Sequence, residues 1–94
     1  MNREEVLRKL DAVKPLLKDR FGVRSIALAG SFARGEATGA SDVDIIVDMP
    51  SAFHSFFQLK YFLEEKLGRS VDLGLEKNLR TFIRKEIENE LIYV

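Results

Sequence analysis

The chain contains no cysteine and a single histidine, His54, in 94 residues. Without thiols there can be no disulfide, thiolate metal site or cysteine nucleophile, which fits a reducing cytoplasm. One histidine cannot assemble a His-based metal centre or a Ser/His triad within this chain, so His54 is expected to face water. Long apolar runs are missing as well: none approaches the ~18 residues of a membrane helix, and Met1-Asn2-Arg3-Glu4-Glu5 is too polar to open a signal peptide. Net charge is also absent. Fifteen basic residues balance fifteen acidic ones, so the broad positive field of a nucleic-acid-binding protein is lacking and direct nucleic-acid binding is not expected. These absences place the chain in the cytoplasm and off the membrane.

What is present suits a folded domain. An apolar fraction of 46% with 32% charged residues argues for one compact core over disorder. The length leaves room for a single domain, residues 1–94, and for no second catalytic one. Val6, Leu7, Leu10, Val13, Leu17 and Phe21 recur at helical spacing and predict an amphipathic helix over 2–21, stopped by Gly22, with Pro15 kinking it or opening a second short segment. Residues 24–29 read as a short buried strand that Gly30 ends, and Ser31 as the N-cap of a brief helix over 32–36. After a loop at 38–41, Val43, Ile45 and Val47 alternate with Asp42, Asp44, Ile46 and Asp48, a strand with one apolar and one mostly acidic face. Ser51 is placed to cap a helix carrying Phe53, Phe56, Phe57, Leu59, Phe62, Leu63 and Leu67, which Gly68 ends. Residues 71–75 form a third strand with Asp72 opposite its inward side chains. Asn78 is placed to cap a last helix with Leu79, Phe82, Ile83 and Ile87, before a terminal strand or tail at 91–94. The predicted fold class is α+β, a mixed α/β arrangement.

Chemistry concentrates in two short runs, Gly30-Ser31-Phe32-Ala33-Arg34-Gly35-Glu36 and Ser41-Asp42-Val43-Asp44. A Gly/Ser turn between strand and helix can bring backbone N–H groups to phosphate oxygens. Carboxylates at i and i+2 of a strand project from one face, and magnesium is commonly held by one or two carboxylates plus substrate phosphates. With Asp72 alongside, three carboxylates can hold two cations that orient a triphosphate and stabilise leaving pyrophosphate, and Asp72 can take the proton of an attacking hydroxyl. An Asp-x-Asp strand alone reads more readily as a solvated edge; the turn and the third aspartate reverse that balance.

These residues resemble the G-S-x10-D-x-D signature of the DNA polymerase beta-like nucleotidyltransferases, and most closely the minimal nucleotidyltransferase (MNT) group. The likeness spans nearly the whole chain, including Lys14-Pro15-Leu16-Leu17, Leu67-Gly68-Arg69-Ser70-Val71-Asp72-Leu73 and Ile92-Tyr93-Val94. It implies a small mixed β-sheet flanked by helices and Mg2+-dependent transfer of AMP from ATP to a hydroxyl. Gly30 and Ser31 are implied to contact the triphosphate, Asp42, Asp44 and Asp72 to bind metal, and Asp72 to act as base. The implied acceptor is a tyrosine of a HEPN-domain toxin, making the chain its antitoxin within a hetero-oligomer. Gly74 departs from the aliphatic residue usual after Asp-Leu and is expected to loosen the third strand around Asp72.

Other residues carry two readings each. Arg34 suits a phosphate but equally an ion pair with Glu36, and Ser41 suits a phosphate but better a turn. Lys77, Arg80, Arg84 and Lys85 form a basic surface, yet interleaved glutamates favour a solvated helix. Five rings within ten residues, Phe53, Phe56, Phe57, Tyr61 and Phe62, exceed what one helix face needs for core, leaving some for a protein partner. Competing functions are a nucleotide- or metal-binding antitoxin that neutralises its partner by binding alone, and modification of a small hydroxyl compound, for which 94 residues offer little pocket.

Overall fold

A computed structural model describes residues 1–50, 53–79 and 87–94. The first helix, α1 (Arg3–Phe21), starts where the Asn2 side chain accepts the Glu5 N–H at 2.9 Å and stops at Gly22, whose φ of 70° lets its N–H turn back to the last carbonyls. It runs as one element through Pro15, so no second segment begins there. Strand β1 (Ser25–Ala29) follows, then a five-residue helix α2 (Gly30–Arg34) and strand β2 (Val43–Asp48). Helix α3 (Phe53–Leu67) leads to strand β3 (Val71–Leu75), a 3-10 turn at Glu76–Asn78 and the terminal strand β4 (Ile92–Tyr93).

The sheet order is β3-β2-β1-β4, with β1 antiparallel to both β2 and β4 and β3 parallel to β2. This is the mixed sheet with helices that the sequence implied. Period-two alternation sorts its side chains. Ile26, Leu28, Val43, Ile45 and Val47 share one fully buried face and form a single core with Val6, Leu10 and Leu17 of α1 and Leu59, Leu63 and Leu67 of α3. The Phe21 and Phe62 rings join the two helices, 5.7 Å between centroids. The opposite face presents Ala27, Ala29, Asp44, Ile46, Asp72 and Gly74, and there the Tyr93 hydroxyl, from β4, donates to Glu76 Oε1 at 2.9 Å. The terminal residues 92–93 are therefore a strand and not a tail.

Two expectations need correction. Ser31 is not a cap: α2 begins at Gly30 with Ala29 as its N-cap and no side-chain cap bond, because the left-handed φ of 67° at Gly30 turns the chain there and draws Ser31 into the first helical turn. Gly74 does not loosen β3, which stays in register with β2 from Val71 to Leu75; Ile46 Cδ1 lies over the glycine, 3.2 Å from where a Cβ would stand. The aromatic run divides between core and surface, as its excess of rings implied: Phe53 and Tyr61 are exposed, while Phe56, Phe57 and Phe62 are half-buried. Asn78 lies within the 3-10 turn. The helix it was expected to cap, with Phe82 and Ile83, lies outside the described residues, as do Ser51, Arg80, Arg84 and Lys85. Among the described residues no helix is long and apolar enough to cross a membrane.

Candidate active site

The site forms where β1 runs into α2 beside the start of β2. Gly30 is required there for two independent reasons. Its φ of 67° is a conformation that costs other residues, and a Cβ at that position would stand 1.9 Å from Asp44 Oδ2 and 2.8 Å from Asp44 Cγ. The Asp44 carboxylate is thus seated directly against the Gly-Ser turn. Parallel pairing then aligns Asp44 with Asp72, so adjacent strands, about 5 Å apart, deliver two carboxylates to the same face. Asp42 precedes the first residue of β2 and is exposed.

These acids act on one another. The Asp44 carboxyl is held above the usual carboxylate range, first by burial, then by the negative charges of Asp72 and Asp42 and a hydrogen bond with Asp72; Arg34 pulls the opposite way. Among the described residues no three His, Cys, Asp or Glu side chains converge on one point as a ready-made metal cage. The donor set nonetheless fits magnesium, which takes one or two carboxylates and completes its octahedron with phosphate oxygens and water. A half-buried acid crowded by two like charges is the arrangement that a cation relieves.

Of the other residues singled out by sequence, Ser31 is the half-buried second residue of α2. Arg34 is engaged by Glu36 at 3.2 Å and by Glu90 at 3.3 Å, on the ion-pair side of its two readings, although its charge reaches Asp44. The Ser41 hydroxyl accepts the Thr38 N–H at 2.8 Å, a loop-fixing role. His54 is exposed.

Two contributors escaped sequence reading. Glu64 Oε2 accepts the Val71 N–H at 3.0 Å and so fixes the start of the strand that carries Asp72. Arg69 Nη2 lies 3.0, 3.0 and 2.9 Å from the carbonyl oxygens of Thr38, Gly39 and Ser41. A glutamate on a helix and an arginine in a turn read as solvated charge. Only the partners, seven and about thirty residues away, mark them otherwise.

A family model described as a nucleotidyltransferase domain matches residues 10–94. The chain belongs to that family. This nucleotidyltransferase is 45% identical over 94 residues to the protein adenylyltransferase MntA of Thermococcus cleftensis, an alignment covering 97% of this chain and 94% of that protein. A solved structure provisionally named a minimal nucleotidyltransferase superposes with a TM-score of 0.83 at 31% identity, over 98% of this chain and 95% of the other. The structure of a toxin-antitoxin pair, MntA-HpeT, shares the fold alone, with a TM-score of 0.68 at 19% identity over 99% of this chain and 72% of that one. The family membership makes the nucleotidyltransferase an enzyme that uses a nucleotide, and the site above is where its acidic residues, glycine turn and neighbouring strand meet.

Proposed function

We propose that residues 1–94 form one minimal nucleotidyltransferase domain that moves AMP from ATP to a hydroxyl, a tyrosine of a HEPN-domain toxin, and thereby acts as its antitoxin in the cytoplasm. The observation that carries this reading is the seating of Asp44 against Gly30 with Asp72 paired beside it. The tyrosine oxygen attacks the α-phosphorus; an O–P bond forms, the bond to the β-phosphate bridging oxygen breaks, and pyrophosphate leaves with the electron pair. Asp72, more exposed than Asp44, takes the phenolic proton. Gly30 and Ser31 present the turn to the triphosphate, and Arg34 and Ser41 would assist at the phosphates once released from their present partners. Asp42, Asp44 and Asp72 would hold Mg2+, two ions in the full reading, which supplies charge neutralisation at the phosphates.

The protein-directed activity rests on the relative named a protein adenylyltransferase, and the toxin partner on the fold shared with a toxin-antitoxin pair. The test is the intact mass of a toxin co-expressed with this chain. One or more added AMP masses with wild type, and none with Asp44→Asn, support transfer; an unmodified toxin that is nonetheless neutralised by Asp42→Ala supports the alternative of binding alone.

A further inference from the structure

Asp44 and Asp72 owe their positions to the β2–β3 ladder, but Asp42 does not. It hangs between the first ladder residue, Val43, and the loop at 38–41. That loop is folded on itself, with Ser41 N–H donating to the Thr38 carbonyl at 3.1 Å, Thr38 N–H to Ser41 Oγ at 2.8 Å and Ala40 N–H to Thr38 Oγ1 at 3.3 Å. Such bonds shape a loop without saying where it sits. Among the described residues, the hydrogen bonds that leave the loop for the rest of the protein all end on Arg69 Nη2.

We propose that Arg69 is a positioning residue for Asp42: its guanidinium gathers the Thr38, Gly39 and Ser41 carbonyls and sets the angle at which Asp42 enters the metal site. This rests on the nucleotidyl-transfer reading above. Three further observations make Arg69 a fixed point. The guanidinium carbon lies 5.3 Å from the centre of the Phe32 ring, and Phe32 is 1% exposed and adjoins Ser31. Arg69 Nε is buried with no partner, so the side chain is held by packing as well as by hydrogen bonds. Its neighbour Ser70 receives the Val43 N–H at 2.9 Å, one residue beyond Asp42. Arg69 thus joins the helix that carries Ser31, the loop that ends at Asp42 and the turn that leads to Asp72. Lysine does not replace it: the ammonium has no plane to lay on Phe32 and its stem is one bond shorter.

The test uses the full chain as wild type, Arg69→Lys, Arg69→Ala and, as control, Asp44→Asn. Two readouts are needed, Mg2+ dependence of label transfer from α-labelled ATP and amide hydrogen exchange of the metal-free protein. The proposal expects the Mg2+ concentration for half-maximal transfer to rise about 10-fold in Arg69→Lys and up to about 100-fold in Arg69→Ala, with the rate at saturating Mg2+ close to wild type. It also expects faster exchange at the Ser41 amide with Ile45 unchanged, and a matching loss of Mn2+ affinity read by electron paramagnetic resonance. If Arg69→Ala does not fold, Arg69→Lys decides by the same readouts. An unmoved Mg2+ midpoint with unmoved Ser41 exchange overturns the role of Arg69 while leaving the site intact, provided Asp44→Asn is inactive. Full transfer by Asp44→Asn overturns the site, and the proposal with it.

Discussion

Replacing Gly30 with alanine separates what the glycine does for the backbone from what it does for the site. The left-handed conformation at φ 67° costs a residue with a Cβ about 1–2 kcal/mol. In a domain of this size each kcal/mol lowers Tm by about 4–8 °C. The second effect is steric. The new Cβ would stand 1.9 Å from Asp44 Oδ2, where ordinary contact begins near 3.4 Å, so the carboxylate must retreat by about 1.5 Å. Displacement of a catalytic group by ~1 Å costs about 100-fold in rate, so Gly30→Ala is expected to lose at least that much transfer. Gly35→Ala is the matched control: it shares a positive φ, 74°, but the nearest atom to its Cβ is Arg3 Nη1 at 3.9 Å. Both variants should lose comparable stability by differential scanning calorimetry, and only Gly30→Ala should lose label transfer. Equal transfer by the two would refute the seating of Asp44 against the turn.

Asp44→Asn is expected to stabilise the metal-free protein. The folded protein holds the Asp44 proton more tightly than the unfolded chain does, so stability falls as pH rises from the unfolded value near 3.9 through the raised folded value, and the penalty is complete above that. Like charges on neighbouring side chains, discounted for solvent screening at this half-buried site, set the gain at about 1 kcal/mol. Melting in EDTA should show Asp44→Asn above wild type at pH 7 and level with it below pH ~3.9; a constant offset across pH would contradict the charge argument. Gly74→Ala should cost under about 1.5 kcal/mol and leave activity intact, because its Cβ would meet only the movable Cδ1 of Ile46. Urea unfolding and label transfer check this, and loss of transfer would mean that Gly74 serves Asp72 after all. Leu63→Ala, at a fully buried site, should cost about 2–5 kcal/mol, read as a lower urea midpoint at constant m.

Much of the fold was legible because local rules carry it. The Val43, Ile45 and Val47 alternation gave β2 its faces, the 6-10-17-21 spacing of Val6, Leu10, Leu17 and Phe21 gave α1 its buried stripe, and Gly22 and Gly68 mark helix ends by capping chemistry. Asp44 and Asp72 were legible for the same reason, as strand positions opposite the inward side chains, whereas Asp42 lies just outside β2. What could not be read was non-local. The Asp44–Asp72 register depends on pairing across 28 residues of chain, and neither propensity nor period fixes it. Arg34 meets Glu90 across 56 residues, and Arg69 meets carbonyls that carry no sequence signature at all. Ser31 misled because a serine after a strand suits a cap, whereas the positive φ of Gly30 turns the chain earlier, and the helix starts two residues before the expected position, at 30 and not 32.

The central claim is that Asp44 and Asp72, brought together beside Gly30, serve transfer of a nucleotidyl group. The most direct measurement compares α-labelled with γ-labelled ATP, incubated with Mg2+, the purified toxin partner and either wild type or Asp44→Asn. The account predicts that wild type transfers the α label and none of the γ label, and that Asp44→Asn transfers neither. Transfer of the γ label, or undiminished α-label transfer by Asp44→Asn, would contradict it.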